Sequence, residues 1–228
     1  LLVRPAGPVF LFLQEAMELS GDERYTSVRQ RARVEVEIKK SRFIGDIAPV
    51  PDESAALAFI DAVRDEFPTA THHCYAYITG YPGRVVRMND DGEPSGTAGR
   101  PILEVIEREG LTNTVVVVTR YFGGTLLGAA GLVRAYAGTA SQAVAAAGVV
   151  EYVLHERWQL RCDYAHWGKL EFYLRTEEIK VGDPRFGTAV EVELAVPRRQ
   201  AAALRQSIDD LLSGTAKWRE MSPAFLPA

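Results

Sequence analysis

The sequence predicts an α+β protein of two domains, and three observations carry that expectation. Val34-Glu35-Val36-Glu37-Ile38 alternates strictly, the pattern of a strand with one buried face. Thr114-Val115-Val116-Val117-Val118-Thr119 is an unbroken run, too short for a buried helix, which reads as a central strand covered on both faces. Beyond residue 150 the order simplifies to strand, helix, strand, strand, helix, strand, the ferredoxin-like split unit.

The first domain, 29–150, builds up in order. After Val34–Ile38, Phe43 to Val50 forms a second strand closed by Pro49 and Pro51. Asp52 caps a helix whose apolar positions Ala56, Phe59, Ile60, Val63 and Phe67 share one face, and Pro68 stops it. His72 to Thr79 is a third strand, with Cys74, Ala76 and Ile78 on one side. Gly80-Tyr81-Pro82-Gly83 turns the chain into a fourth strand, Arg84 to Met88. A loop rich in glycine and acids, Asn89 to Gly99, leads to a short helix begun near Pro101 and ended by Gly110. The valine run is followed by a helix over Leu127 to Ala147, whose glycines and alanines allow close approach to a sheet.

The second domain, 151–222, takes its strands from Leu154–Cys162, Glu178–Val181, Val190–Val196 and Ala216–Met221. Its helices are marked by Trp167, Leu170 and Leu174, and by Leu204, Ile208, Leu211 and Leu212. Residues 1–28 read as an extended or disordered N-terminus and 223–228 as a tail. Within the former, the apolar stretch Pro8 to Leu13 is too short for a membrane span, and Met17 is an alternative start.

Composition bounds the function. A chain of 228 residues, 47% hydrophobic and 25% charged, buries a full core, which excludes a disordered chain, a collagen-like fibre and a disulfide miniprotein. A net charge of −4 supplies no global field for a polyanion, so nucleic acid would have to use a local patch. Cys74 and Cys162 form neither a zinc pattern nor a disulfide framework, which suits a reducing, cytoplasmic compartment.

Three segments could hold chemistry. In the loop, Asp90, Asp91, Gly92, Glu93, Ser95, Gly96, Thr97 and Gly99 offer three carboxylates in four residues; Asp90, Asp91 and Glu93 could hold Mg²⁺, against a plain reading as solvated acids. Arg120-Tyr121-Phe122-Gly123-Gly124 joins the central strand to a helix start. There glycines admit a ligand to the backbone, Arg120 could clamp a phosphate and the aromatics could stack on bases. The plain alternative is a turn, a core and an internal ion pair. His72 and Cys74 share a strand face, but two ligands make no metal site and Cys74 belongs to the inward set; His155 and His166 are isolated. Lys39, Lys40 and Arg42, with Arg29, Arg31 and Arg33, could line a phosphate-binding face or be the solvated side of an edge strand.

Lys39-Lys40-Ser41-Arg42-Phe43-Ile44, His72-His73-Cys74-Tyr75-Ala76-Tyr77, Asn89 to Gly99 with Pro101, and Thr119 to Gly124 continue through Leu127-Gly128 and Gly131-Leu132-Val133-Arg134-Ala135-Tyr136. This composite resembles the YigZ/IMPACT family. The resemblance implies a first domain like domain IV of elongation factor G, a two-layer α/β sandwich of ribosomal-protein type, and a ferredoxin-like second domain. It differs at Leu126, where many relatives carry lysine, and at Ala130, where glycine is common.

The leading expectation is a non-enzymatic RNA- or ribosome-associated protein that acts on translation and needs no cofactor. Its anion-binding face would comprise Lys39, Lys40, Arg42, Arg120, Tyr121, Phe122, Gly123, Gly124 and Arg134. A Mg²⁺-dependent hydrolase of a phosphoester or small nucleotide, using the acidic loop, and a protein-interaction module are the alternatives.

Overall fold

The computed structural model describes residues 23–228. They form two compact units, one of residues 25–151 and one of 152–228 together with the described residues before Tyr25. The expectations for Pro8 to Leu13 and Met17 lie outside the described residues.

In the first unit, strands β2 (Ala32–Ile38), β3 (Ser41–Pro49), β4 (His72–Thr79), β5 (Val85–Asn89) and β6 (Thr114–Tyr121) form one sheet in the order β2-β3-β6-β4-β5. Every neighbouring pair is antiparallel. The valine run explains the centre. Val116 and Val118 pack into the core under helices α2 (Gly99–Arg108) and α3 (Ala129–Ala147), while Val115 and Val117 pack under α1 (Glu53–Glu66). Helices therefore cover both faces of the sheet, as the unbroken valine run predicts. Asp52 caps α1 as its sequence predicts, its Oδ1 accepting from the Ala55 amide at 2.8 Å. The close approach of α3 is shared by the strand beneath it: a Cβ on Gly45 of β3 would lie 2.8 Å from Thr139 Cγ2.

In the second unit, β7 (Val149–Cys162), β8 (Lys180–Val181), β9 (Arg185–Phe186), β10 (Val190–Pro197) and β11 (Lys217–Pro227) alternate with α4 (Tyr164–Thr176) and α5 (Arg198–Leu211). The order β11-β7-β10-β8, with β9 also on β10, is the fourth-first-third-second arrangement of the ferredoxin-like unit. Leu160, Leu170, Val192, Leu194 and Ile208 form its core.

Three local expectations are corrected. Residues 24–28 are strand β1 (Arg24–Val28), which pairs with β7, rather than part of a loose N-terminus. The strand expected over Glu178–Val181 is shortened to β8, and a further short strand that the sequence did not suggest, β9, pairs with the opposite end of β10. The tail from 223 continues β11, whose register shifts between Met221 and Ala224 before Ala224 to Pro227 pair with β7. No helix among the described residues is long and apolar enough to cross a membrane.

Candidate functional site

Strand register assembles the site. Arg120 stands opposite Phe43 on β3 and His72 on β4, so the three side chains share a face of the sheet. That face is the one under α2 and α3, because Arg120 has the parity of Val116 and Val118. Arg120 is accordingly only 5% exposed. Its guanidinium lies 5.3 Å from the Phe43 ring centroid and 5.4 Å from that of Phe122.

A guanidinium in such a place needs a counter-charge, and Glu93 supplies it. Arg120 Nη1 donates to Glu93 Oε1 at 2.5 Å, and Arg120 Nη2 donates to Ser41 Oγ at 3.3 Å. Tyr136 donates its hydroxyl to the same Glu93 oxygen at 2.7 Å, and burial raises the Tyr136 hydroxyl above the ordinary tyrosine range. Arg120 Nε is left buried without a partner. The expectation that Arg120 offers its guanidinium to an incoming anion is thus corrected: it is held in an internal ion pair. Two stretches remote in sequence do meet here, but they neutralise each other.

The acidic loop is held by its own carboxylates. Asp90 Oδ1 accepts from the amides of Ala98 and Gly99 at 3.0 and 2.8 Å, and Asp90 Oδ2 from Gly96 at 2.8 Å. Asp91 Oδ2 accepts from the His73 amide at 2.6 Å, which ties the loop to the start of β4. With Glu93 turned to Arg120, the three carboxylates do not converge. No group of three His, Cys, Asp or Glu among the described residues could hold a metal ion. The Mg²⁺ reading of Asp90, Asp91 and Glu93 is therefore corrected as well. Gly99 is required by crowding, since a Cβ there would lie 2.8 Å from the Asn89 amide nitrogen. Thr97 is buried, donating to the Pro94 carbonyl at 2.6 Å, while Ser95 is exposed. Asp91 and Gly92 both take positive φ, 43° and 86°.

Cys74 makes no thiol–imidazole pair. Its Sγ donates to the Asp90 carbonyl at 3.0 Å, and burial pushes the thiol up to about 12. Native protein at pH 8 should leave Cys74 unmodified by a maleimide, and urea-unfolded protein should react at once. Stoichiometric labelling of Cys74 in the folded state, located by mass spectrometry, would contradict this burial.

The other predicted residues separate into two groups. Arg42 forms a two-pronged exposed pair with Glu35 at 2.6 and 2.8 Å and lies 5.6 Å from the Tyr121 ring centroid, so both are engaged. Lys39 and Lys40, at the β2–β3 turn, and Arg134, on the second turn of α3, are exposed. Phe122 is 46% exposed. The Lys39–Lys40 turn rests against Gly123: Gly123 donates its amide to Ser41 Oγ at 3.2 Å, and a Cβ on Gly123 would overlap the Lys40 carbonyl.

A hollow of about 390 Å³ opens beside these residues. His72, Glu93 and Arg120 line it together with Pro94, Phe122 and the chain from Leu126 to Ala129 at the start of α3. Gly128, at φ 72°, provides no side-chain cap for α3, so the helix's first amides lack a capping partner from it. Sequence reasoning did not assign Tyr136 or Ser41 to the site. Tyr136 was nevertheless signalled, because Leu132, Tyr136, Ala140 and Val144 recur every four residues and share the buried face of α3.

Comparisons agree with this architecture. The model of the Impact N-terminal domain matches residues 39–144, and that of a domain of unknown function (DUF1949) matches residues 160–215. IMPACT family member YvyE of Bacillus subtilis (strain 168) is 38% identical over 202 residues, covering 89% of this chain and 93% of that protein. IMPACT family member YigZ of Escherichia coli (strain K12) is 36% identical over 181 residues, covering 78% and 89% respectively. A crystal structure of a protein described only as hypothetical aligns with a TM-score of 0.59 at 33% identity, covering 88% of this chain and 98% of that one. With 38% identity to such a relative across 89% of its length, the chain belongs to the IMPACT family.

Proposed function

We propose that this protein binds RNA, free or within the ribosome, through the edge of the first unit where the Lys39–Lys40 turn meets the glycine turn before α3. The observation that carries the reading is the seating of that lysine turn on Gly123, which sets the backbone of the exposed Lys39–Lys40 turn against the chain that carries the half-exposed Phe122 ring. Lysines neutralise phosphates without regard to sequence, and an exposed aromatic ring stacks on unpaired bases. The uncapped amides at the start of α3 supply a further place for a phosphate. Arg120 and Glu93 serve this edge from below, by fixing Phe122 and the acidic loop, rather than by touching RNA.

The test is fluorescence anisotropy with single-stranded RNA, repeated on purified ribosomal subunits over a salt series. Lys39→Ala with Lys40→Ala should weaken binding and reduce the slope of log K against log salt by about 1.4, the share of two single-strand phosphate contacts. Absent or salt-independent binding would sink the reading. Protein partners held instead through the exposed Leu126 and Phe122 would then favour the interaction module.

A further inference from the structure

The hollow beside Phe122 has a polar floor with an unusual preference. Glu93 has a side chain only 3% exposed. Its Oε1 accepts from both Arg120 and Tyr136, and no donor among the described residues reaches its Oε2. His72 Nδ1 lies 2.8 Å from the Asp91 carbonyl, which can only accept, so Nδ1 carries the hydrogen. In the neutral ring Nε2 then presents a lone pair, and it sits 3.9 Å from Glu93 Oε1, beyond hydrogen-bond reach. The floor therefore offers two neighbouring acceptors. A guest that satisfies it must bring two neighbouring donors on a flat, otherwise apolar body, because Pro94, Phe122, Leu127 and Leu132 make the walls.

Among the four RNA bases, guanine alone has two adjacent donors on its Watson–Crick edge, N1–H and the N2 amine. Adenine and cytosine set their amine beside a ring-nitrogen acceptor, and uracil flanks its single N–H with carbonyls. We propose that the hollow is a pocket for an unpaired guanine, its N1–H and N2 amine directed to Glu93 and His72. Its phosphate would lie at the first amides of α3, where Gly128 and Ala129 form the rim. The volume, about 390 Å³, falls within the range of small-molecule sites. The inference rests on the RNA reading and adds a base preference that lysine–phosphate contacts cannot supply.

The experiment measures anisotropy of labelled oligouridine hexamers carrying one central guanine, inosine or adenine. Inosine keeps N1–H and lacks the N2 amine. Wild-type protein should bind the guanine hexamer at least about fivefold more tightly than either of the others. Ala129→Phe, which projects bulk into the rim from an exposed helix start, should abolish that preference. Equal affinity for all three hexamers would overturn the pocket and leave RNA binding standing. GMP preferred over IMP and AMP, with no hexamer bound, would keep the pocket and overturn the RNA reading. Neither a hexamer bound nor GMP preferred would overturn both.

Discussion

Arg120→Ala should destabilise the first unit by about 3–5 kcal/mol in urea denaturation, the cost of leaving one member of a buried ion pair without its partner. The size follows from what remains. Glu93 would keep its negative charge under α3, with the Tyr136 hydroxyl as its one remaining strong donor. Ser41 would lose the guanidinium, and the Phe43 and Phe122 rings would lose the cation beside them. A solvent-facing arginine that only awaited a ligand would cost within about 0.5 kcal/mol when truncated. The two cases are therefore separable without any ligand. Glu93→Leu together with Arg120→Met should cost far less than the sum of the single changes, because the pair is removed as a unit. A loss near zero for Arg120→Ala would mean that the ion pair does not hold the loop to the sheet.

The architecture was legible where one physical rule dominated. Alternation in Val34–Ile38, the valine run and the Asp52 cap each led to the observed element, because burial on one face, burial on two faces and an unpaired helix amide leave little choice. Strand β1 was missed because Arg24–Val28 is short and gains its place from pairing with β7, more than a hundred residues away. Strand β9 was missed likewise, because its two residues gain their place from the end of β10 that they meet.

The site was legible as a set of residues and misread in its roles. Glu93 and Arg120 are 27 positions apart, and spacing says nothing about their contact. Parity did carry a signal: Arg120 continues the inward series Val116 and Val118, so an arginine there had to be buried and paired. Asp90 looked like a metal ligand because loop carboxylates in that density suit hard cations. The amides of Gly96, Ala98 and Gly99 compete for the same oxygens and hold them.

Gly123→Ala should destabilise the protein by about 3 kcal/mol, whereas Gly124→Ala next to it should cost about 1–2 kcal/mol. Two different demands on glycine separate them. At Gly124 the backbone stands at φ 79° with nothing within 4 Å of an added Cβ, so alanine meets only the left-handed strain of an L-residue. At Gly123 the added carbon would overlap the Lys40 carbonyl and lie 2.5 Å from the Ser41 amide nitrogen, both of them backbone. Backbone cannot rotate away as a side-chain tip can, so the β2–β3 turn must lift from the glycine turn. That movement also breaks the Gly123 amide's bond to Ser41 Oγ and separates the Lys39–Lys40 turn from the glycine turn. Gly123→Ala should therefore lose RNA affinity beyond its loss of stability, while Gly124→Ala retains affinity wherever it is folded. Denaturation midpoints and anisotropy on the same preparations would check both, and equal effects of the two substitutions would refute the close approach as the reason for glycine at 123.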